Sequence, residues 1–203
     1  MPLGVSVDLT DRPLPGAHAP LLDPEQAEAW RSARAQLRRV WVKARSGLPL
    51  APEDLNLPLL DREQLLNAVH VPEEAGGHAQ ALEAMLRRLP NGWGRRMGCD
   101  RGWYPLIVEL DRGLAELDPN YTLLQVKEKW GALRLYFEGA PEVVGAMQAL
   151  VDRASEASKG ICELCGGPGV LMEGHLRAKT VCTSCGLAEG LLPVEGSRGE
   201  VHR

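Results

Sequence analysis

Aromatic side chains are scarce in this chain, with five tryptophans, three tyrosines and one phenylalanine among 203 residues. No apolar run approaches the ~20 residues of a membrane-spanning helix, which excludes a chain built around such spans. A surplus of base is also missing. Lys and Arg number 23 against 27 Asp and Glu, a formal net charge of -4, which argues against a generic nucleic-acid coat. The opening stretch MPLGVSVDLTDRPLPG has neither a positive n-region nor an apolar core. It does not read as a secretory signal, so a cytoplasmic location without membrane attachment is expected, where structural disulfides are rare. No fixed-period repeat and no low-complexity block is present. What remains is an ordinary globular composition, 44% hydrophobic and 25% charged, in a chain long enough for one sizeable core and a small module.

The order of signals along the chain predicts an α+β protein. Residues 1–22, with four prolines, read as an extended arm. An α+β domain is expected over 23–159, helical from 23 to 118. Its first helix starts at Asp23-Pro24, with Gln26 at capping-box spacing, and ends at Gly47. Trp30, Ala33, Leu37, Val40, Trp41 and Ala44 give it one apolar stripe. A proline- and leucine-rich connection, a short helix in DREQLLNAV and a longer helix from Glu73 to Leu89 follow. NGWGRRMGCDRG reads as a loop, and Trp103 to Leu117 as a clean amphipathic helix. A helix–hairpin–helix unit comes next. The hairpin at 121–138 turns at Trp130-Gly131 and shows Leu133, Leu135 and Phe137 on one face, Arg134 and Tyr136 on the other. A helix over 141–159 buries Val144, Met147, Leu150, Val151 and Ala154. A small module at 160–187 and a tail at 188–203 complete the chain.

Four of the five cysteines fall in that module. Cys162 and Cys165 form one pair, Cys182 and Cys185 another, with two residues inside each pair and sixteen between them. Two residues between cysteines let a tight turn aim both sulfurs at one point, and two such turns supply a tetrahedron. Two pairs outside a βαβ context do not read as a thioredoxin-like redox site. A structural Zn2+ is therefore expected, with an iron–sulfur cluster as the rival metal group. A catalytic zinc keeps one position open for water, and four thiolates close it. His175, between the pairs, is then a hairpin-surface residue. A zinc ribbon with two knuckles and a treble clef with one knuckle, a hairpin and a helix both fit the spacing.

The stretches GWYPLIVELDRGLAELDP, QVKEKWGALRLYF, RASEASKGICELCGGPG and TVCTSC occur in that order. Together they resemble a group of uncharacterised bacterial and phage-encoded proteins, over roughly the C-terminal half of the chain. The resemblance implies a zinc-binding α+β unit and no activity. In similar proteins the last ligand is in some cases His, where this chain has Cys185.

Three further stretches are candidate binding surfaces. The first helix carries Arg31, Arg34, Arg38 and Arg45 along one flank of its stripe, and no acid occurs from Arg31 to Leu50. This reads either as a surface for phosphates or an acidic partner, or as a solvated face. The loop at 87–104 gathers Arg87, Arg88, Arg95, Arg96 and Arg101 with Trp93, residue types enriched in binding hot spots. The hairpin's polar face offers Lys127, Lys129, Arg134 and Tyr136. Cys99 would need His70 or His78 as a base to act as a nucleophile and reads instead as a packed thiol. Glu109, Asp111 and Glu128 lack a recognisable nuclease spacing.

The module itself is acidic once four thiolates surround a dication, which disfavours a grip on phosphates. The sequence therefore favours a non-catalytic zinc-binding recognition protein with a protein partner. Nucleic-acid binding through residues 31–45 and 87–104 is the alternative, and an unrecognised enzyme such as a nuclease the second.

Overall fold

Asp23 starts the first helix as the sequence demands, its carboxylate accepting from the backbone N–H groups of Glu25 and Gln26. The computed structural model describes residues 13–174 and 177–194. Most of the expected arm, His175 and the end of the tail lie outside the described residues. Helix α1 covers Pro24–Arg45 and ends before Gly47, whose φ of 66° suits its left-handed turn. Gln26 does not close a capping box on its own helix. Its Oε1 accepts from the backbone N–H of Asp61, and so ties α1 to the start of α2, Arg62–Asn67.

The expected helix from Glu73 to Leu89 is broken. Gly76 takes φ 53°, ψ -130°, and kinks a 3-10 stretch at Glu73–His78, so the α-helix proper, α3, covers only Ala79–Leu86. The glycine-rich loop is more ordered than its composition suggests. Arg95–Arg96 form a short strand, β2, parallel to β1 at Val69–His70. Leu21 bridges to Val69 from the other side, so the segment before α1 is tied into the same sheet. A 3-10 turn at Arg101–Trp103 runs directly into α4, Tyr104–Leu117.

The predicted hairpin is present, with β3 at Thr122–Lys129 and β4 at Ala132–Glu138. Trp130 and Gly131 both have positive φ, 56° and 74°, the geometry of a two-residue hairpin turn. A register shift between Leu123 and Gln125 moves the buried phase of β3 from Tyr121 and Leu123 to Val126. As a result Gln125 and Lys129 reach solvent beyond it. Helix α5, Val144–Ser158, starts three residues after Pro141. It buries Met147, Val151 and Ala154 against α4 and β4, whereas Val144 stays exposed and Leu150 only half-buried. Trp103, Ile107, Leu110, Leu114, Leu133 and Leu135 form the centre of this core.

Helix α1 contributes little to it. Of its expected stripe only Ala33 is buried; Leu37 and Trp41 are 51% and 48% exposed. The leucines of the following connection, Leu48, Leu50, Leu55, Leu57 and Leu59, are exposed as well. No helix among the described residues is long and apolar enough to cross a membrane.

Candidate metal centre

The chain after α5 makes a turn at Cys162–Gly166, a hairpin and a helix. The hairpin pairs β5, Val170–Gly174, with β6, Arg177–Val181, and a short β7 at Leu192–Pro193 joins β5. Helix α6 covers Thr183–Ala188. One knuckle, a hairpin and a helix, in that order, make the treble-clef arrangement and not the ribbon. The two glycines that suggested two knuckles do different work. Gly166 has φ 82° and closes the knuckle, its N–H bonded to the carbonyl of Cys162 at 2.8 Å. Gly186 lies inside α6, where a Cβ would come 2.2 Å from Sδ of Met172, so its smallness lets the helix sit on the hairpin.

This scaffold brings the sulfurs of Cys162, Cys165, Cys182 and Cys185 within 4.8 Å of one another. The sulfurs of Cys165 and Cys182 are 3.8 Å apart. A tetrahedral ion with metal–sulfur bonds of ~2.3 Å requires a sulfur–sulfur edge of about that length. The four can therefore hold one metal ion. Their own acid–base chemistry points the same way. Ser184 and the backbone N–H of Cys185 draw Cys182 down to about 6, while Cys185 is pushed up to about 12, chiefly by Cys182. One thiolate opposes the next, and a dication would remove that conflict. Cys162 is buried and Cys165 exposed, so the site sits at the edge of the module.

The module is bolted to the core at the knuckle. Glu163, 1% exposed, offers its carbonyl to the N–H of Gly102 at 2.7 Å and its carboxylate to the N–H of Asp100 at 3.1 Å. Trp103 donates its indole N–H to Ile161 at 2.8 Å. Lys179 on β6 reaches Asp100 at 2.6 Å and Glu163 at 2.9 Å. Burial opposes the lysine's charge, but the two carboxylates hold its pKa above the ordinary value. Burial likewise raises Glu163. Thr180 donates to the carbonyl of Gly131 at the hairpin tip, 2.6 Å away. Sequence reasoning missed Glu163, Lys179 and Gly102, because their roles depend on partners dozens of residues away.

The arginine-rich loop is mostly turned inward. Arg95 has no exposed surface. It donates to the carbonyls of Leu89 and Asn67 and to Asn91 Oδ1, and burial lowers its pKa. Arg87 clasps the carbonyls of Gly16, Ala17 and Ala19 and pairs with Glu83. Arg88 lies over Tyr121 and pairs with Asp111 at 3.2 Å. These three are internal braces and are not free for a ligand. Trp103 is likewise a core residue, whereas Trp93 is exposed. Arg96 stays exposed and lies over Trp30, and Arg101 donates to the carbonyl of Leu164.

On α1, Arg31 pairs with Glu28 and Glu73, while Arg34 and Arg38 have no carboxylate partner among the described residues. Arg45 stacks on Trp41. On the hairpin, Lys127 lies over Tyr136, Lys129 is exposed, and Arg134 bonds Ser155 of α5. Six of these ten candidate arginines are thus bonded within the fold, while Arg34 and Arg38 of α1 and Arg96 of the loop line one cleft.

Burial, followed by the Glu163 charge, pushes the Cys99 thiol far up, which opposes its ionisation, and no hydrogen bond joins it to a histidine among the described residues. The three acids considered for a nuclease are separately engaged: Glu109 with Arg112, Asp111 with Arg88 and Tyr121, Glu128 with the N–H of Gly131. Among the described residues the four cysteines are the one group of His, Cys, Asp or Glu side chains arranged to hold a metal. Comparison with protein families, curated proteins and solved structures gives no match, so the site's own geometry is what bears on function.

Proposed function

We propose that this chain is a non-catalytic recognition protein in which Zn2+, bound by Cys162, Cys165, Cys182 and Cys185, is structural, and that its partner is another protein. The observation that carries the reading is the exposed face of α1 and its following connection. Leu37, Trp41, Val42, Leu48, Leu55 and Leu59 lie open to solvent on one continuous piece of chain. Exposed large apolar side chains gathered on one segment are the kind of surface that protein interfaces cover. Zinc is favoured over an iron–sulfur cluster by the 3.8 Å sulfur edge, which suits one tetrahedral ion. Four sulfur ligands leave no coordination position for an activated water. Nucleic acid is the less favoured reading, because Arg87, Arg88 and Arg95 are consumed internally. The resemblance to uncharacterised bacterial and phage-encoded proteins agrees with a zinc-binding unit and adds no activity.

Two measurements test this. Elemental analysis of the purified chain should give one zinc and no iron. A photo-crosslinking residue at position 41, used in living cells, should give discrete protein adducts that the same residue at Arg153 of α5 does not. Nucleic-acid adducts, or none, would overturn the partner assignment.

A further inference from the structure

We propose that the cleft between α1 and the loop at 96–100 is a binding site for a linear zwitterion, with an ammonium at one end and a carboxylate at the other, as in a short peptide with free ends. This goes beyond the protein-binding reading and does not depend on it. The cleft has a volume of about 790 Å3, within the ~300–1,000 Å3 of small-molecule sites. It lies where α1, the core and the metal module meet, and reaches from Arg38 of α1 to Glu163 and Lys179.

Six carboxylates and five cations line it, close to balance, but the two signs are segregated. Arg31, Arg34 and Arg38 share α1, and Arg96 lies over Trp30 of the same helix. At this end Glu73 is spent on Arg31, and Glu83 pairs with Arg87, which does not line the cleft. Arg34, Arg38 and Arg96 have no ion-pair partner among the described residues. The other end is acidic. Asp100, Glu128 and Glu163 all act on the Cys99 thiol, and Glu74 and Asp100 on the neighbouring Tyr104 hydroxyl. Lys179 is the one lining cation there, and Asp100 and Glu163 share it. The bonds from the Tyr104 hydroxyl to Glu74 and from the Gly131 N–H to Glu128 aim those carboxylates and leave their charge in place. With Glu73 set against four arginines and Lys179 against four carboxylates, the ends carry formal charges of +3 and -3.

This segregation disfavours an occupant of one sign. A phosphate or an acidic peptide would meet the carboxylates, and a polyamine the arginines. A metal ion does not fit the acidic end, since among the described residues only the four cysteines are arranged to hold one. A ligand with opposite charges at its two ends meets both, through charge-assisted hydrogen bonds, the strong ones. The wall also has polar atoms in want of a partner. His70 Nε2 and Glu163 Oε2 are buried without a hydrogen bond, Glu163 having only the Lys179 ammonium 2.9 Å away as an ion pair. The amide groups between the two ends of a peptide supply donors and acceptors for such atoms. Burial also displaces the pKa values of His70, Cys99 and Tyr104, all on this wall, a pattern that clusters at functional sites.

The test is isothermal titration of the full metal-loaded chain with diglycine to pentaglycine carrying free ends, and with the same peptides N-acetylated or C-amidated. At least one free peptide should bind at a single site, with affinity that falls as salt is added. Blocking either end should weaken it by about tenfold or more. Arg34→Gln with Arg38→Gln, both at exposed positions, should weaken the free peptide as much and leave the C-amidated one little changed. Glu74→Gln, also exposed, keeps the acceptor for Tyr104 and should weaken the free peptide but not the N-acetylated one. Arg153→Gln on α5 should change neither. Equal binding of the blocked peptides, indifference to these variants, or no binding at any length would each overturn the inference. Tighter binding of inorganic phosphate or of putrescine than of every free peptide would overturn it too, since the site would then serve a single charge.

Discussion

Gly102→Ala places one methyl group where the core meets the metal module. A Cβ there would lie 2.1 Å from the carbonyl oxygen of Cys162, about 1.3 Å short of the 3.4 Å at which ordinary contact begins. Glu163 O and Gly166 N would be 2.6 Å away. All three atoms are backbone, so no side chain can swing aside. The carbonyl of Cys162 is the acceptor that closes the knuckle, so displacing it misaims two of the four sulfurs. Overpacking of this kind costs ~1–3 kcal/mol. The hydrogen bonds from Gly102 to Glu163 and from the Trp103 indole to Ile161 would lengthen together, at roughly 1 kcal/mol each. The expected loss is about 3–5 kcal/mol in urea unfolding of the metal-loaded chain, with the metal released sooner to a competing chelator. Gly145→Ala is the control. It lies in α5, its Cβ would meet nothing within 4 Å, and it should stabilise by about 0.5–1 kcal/mol from helix propensity. If Gly102→Ala unfolds within about 0.5 kcal/mol of the parent chain and holds the metal as tightly, the knuckle is not seated on the 3-10 turn as described.

Chelation should strip hydrogen-exchange protection from residues 161–194 and also from Asp100 and Gly102, whose N–H groups bond to the module, while α3 and the middle of α4 stay protected; uniform loss or no change would contradict that division. Arg95→Ala should destabilise by about 3 kcal/mol or more, because it orphans the Leu89 and Asn67 carbonyls and opens a cavity, and thermal melting reads it directly. Burial raises the Asp111 pKa against the opposing pull of Tyr121 and Arg88. A raised carboxylate pKa adds stability below the unfolded value of ~3.9 and loses it as pH rises through the folded value. Relative to Asp111→Asn, the parent chain should therefore lose stability as pH climbs from about 4; a constant difference between the two across that window would refute the assignment.

Local signals carried most of the architecture. The cap at Asp23, the glycine after α1, the stripe of α4 and the Trp130-Gly131 turn each depend on neighbours a few residues away, and each appears where the sequence places it. The cysteine pairs were legible for the same reason, since a knuckle is a local turn. Long-range choices were not. Arg95 looks like a surface residue until Asn67, 28 residues earlier, supplies its acceptor. Periodicity gave α1 an apolar stripe but could not say whether anything covers it, and most of it lies open. The bulge in β3 shifts burial by one residue with no compositional mark, whereas the break at Gly76, which delays the helix start to Ala79, was signalled by the Gly76-Gly77 pair.

The seat of the knuckle also sets an order of events. Its surface on the core, Asp100 to Trp103 with Gly131, lies entirely before Cys162 in the chain. During synthesis, at ~5–20 residues per second, helices α4 and α5 and the hairpin leave the ribosome before the first metal ligand does. Before the second cysteine pair emerges, the dock can already be built, with its carboxylate and glycine waiting. Metal capture is then a late, latch-like step on a preassembled surface. A cell short of the metal would accumulate chains whose core is made and whose last segment is still unfastened, a form that proteases can recognise and remove.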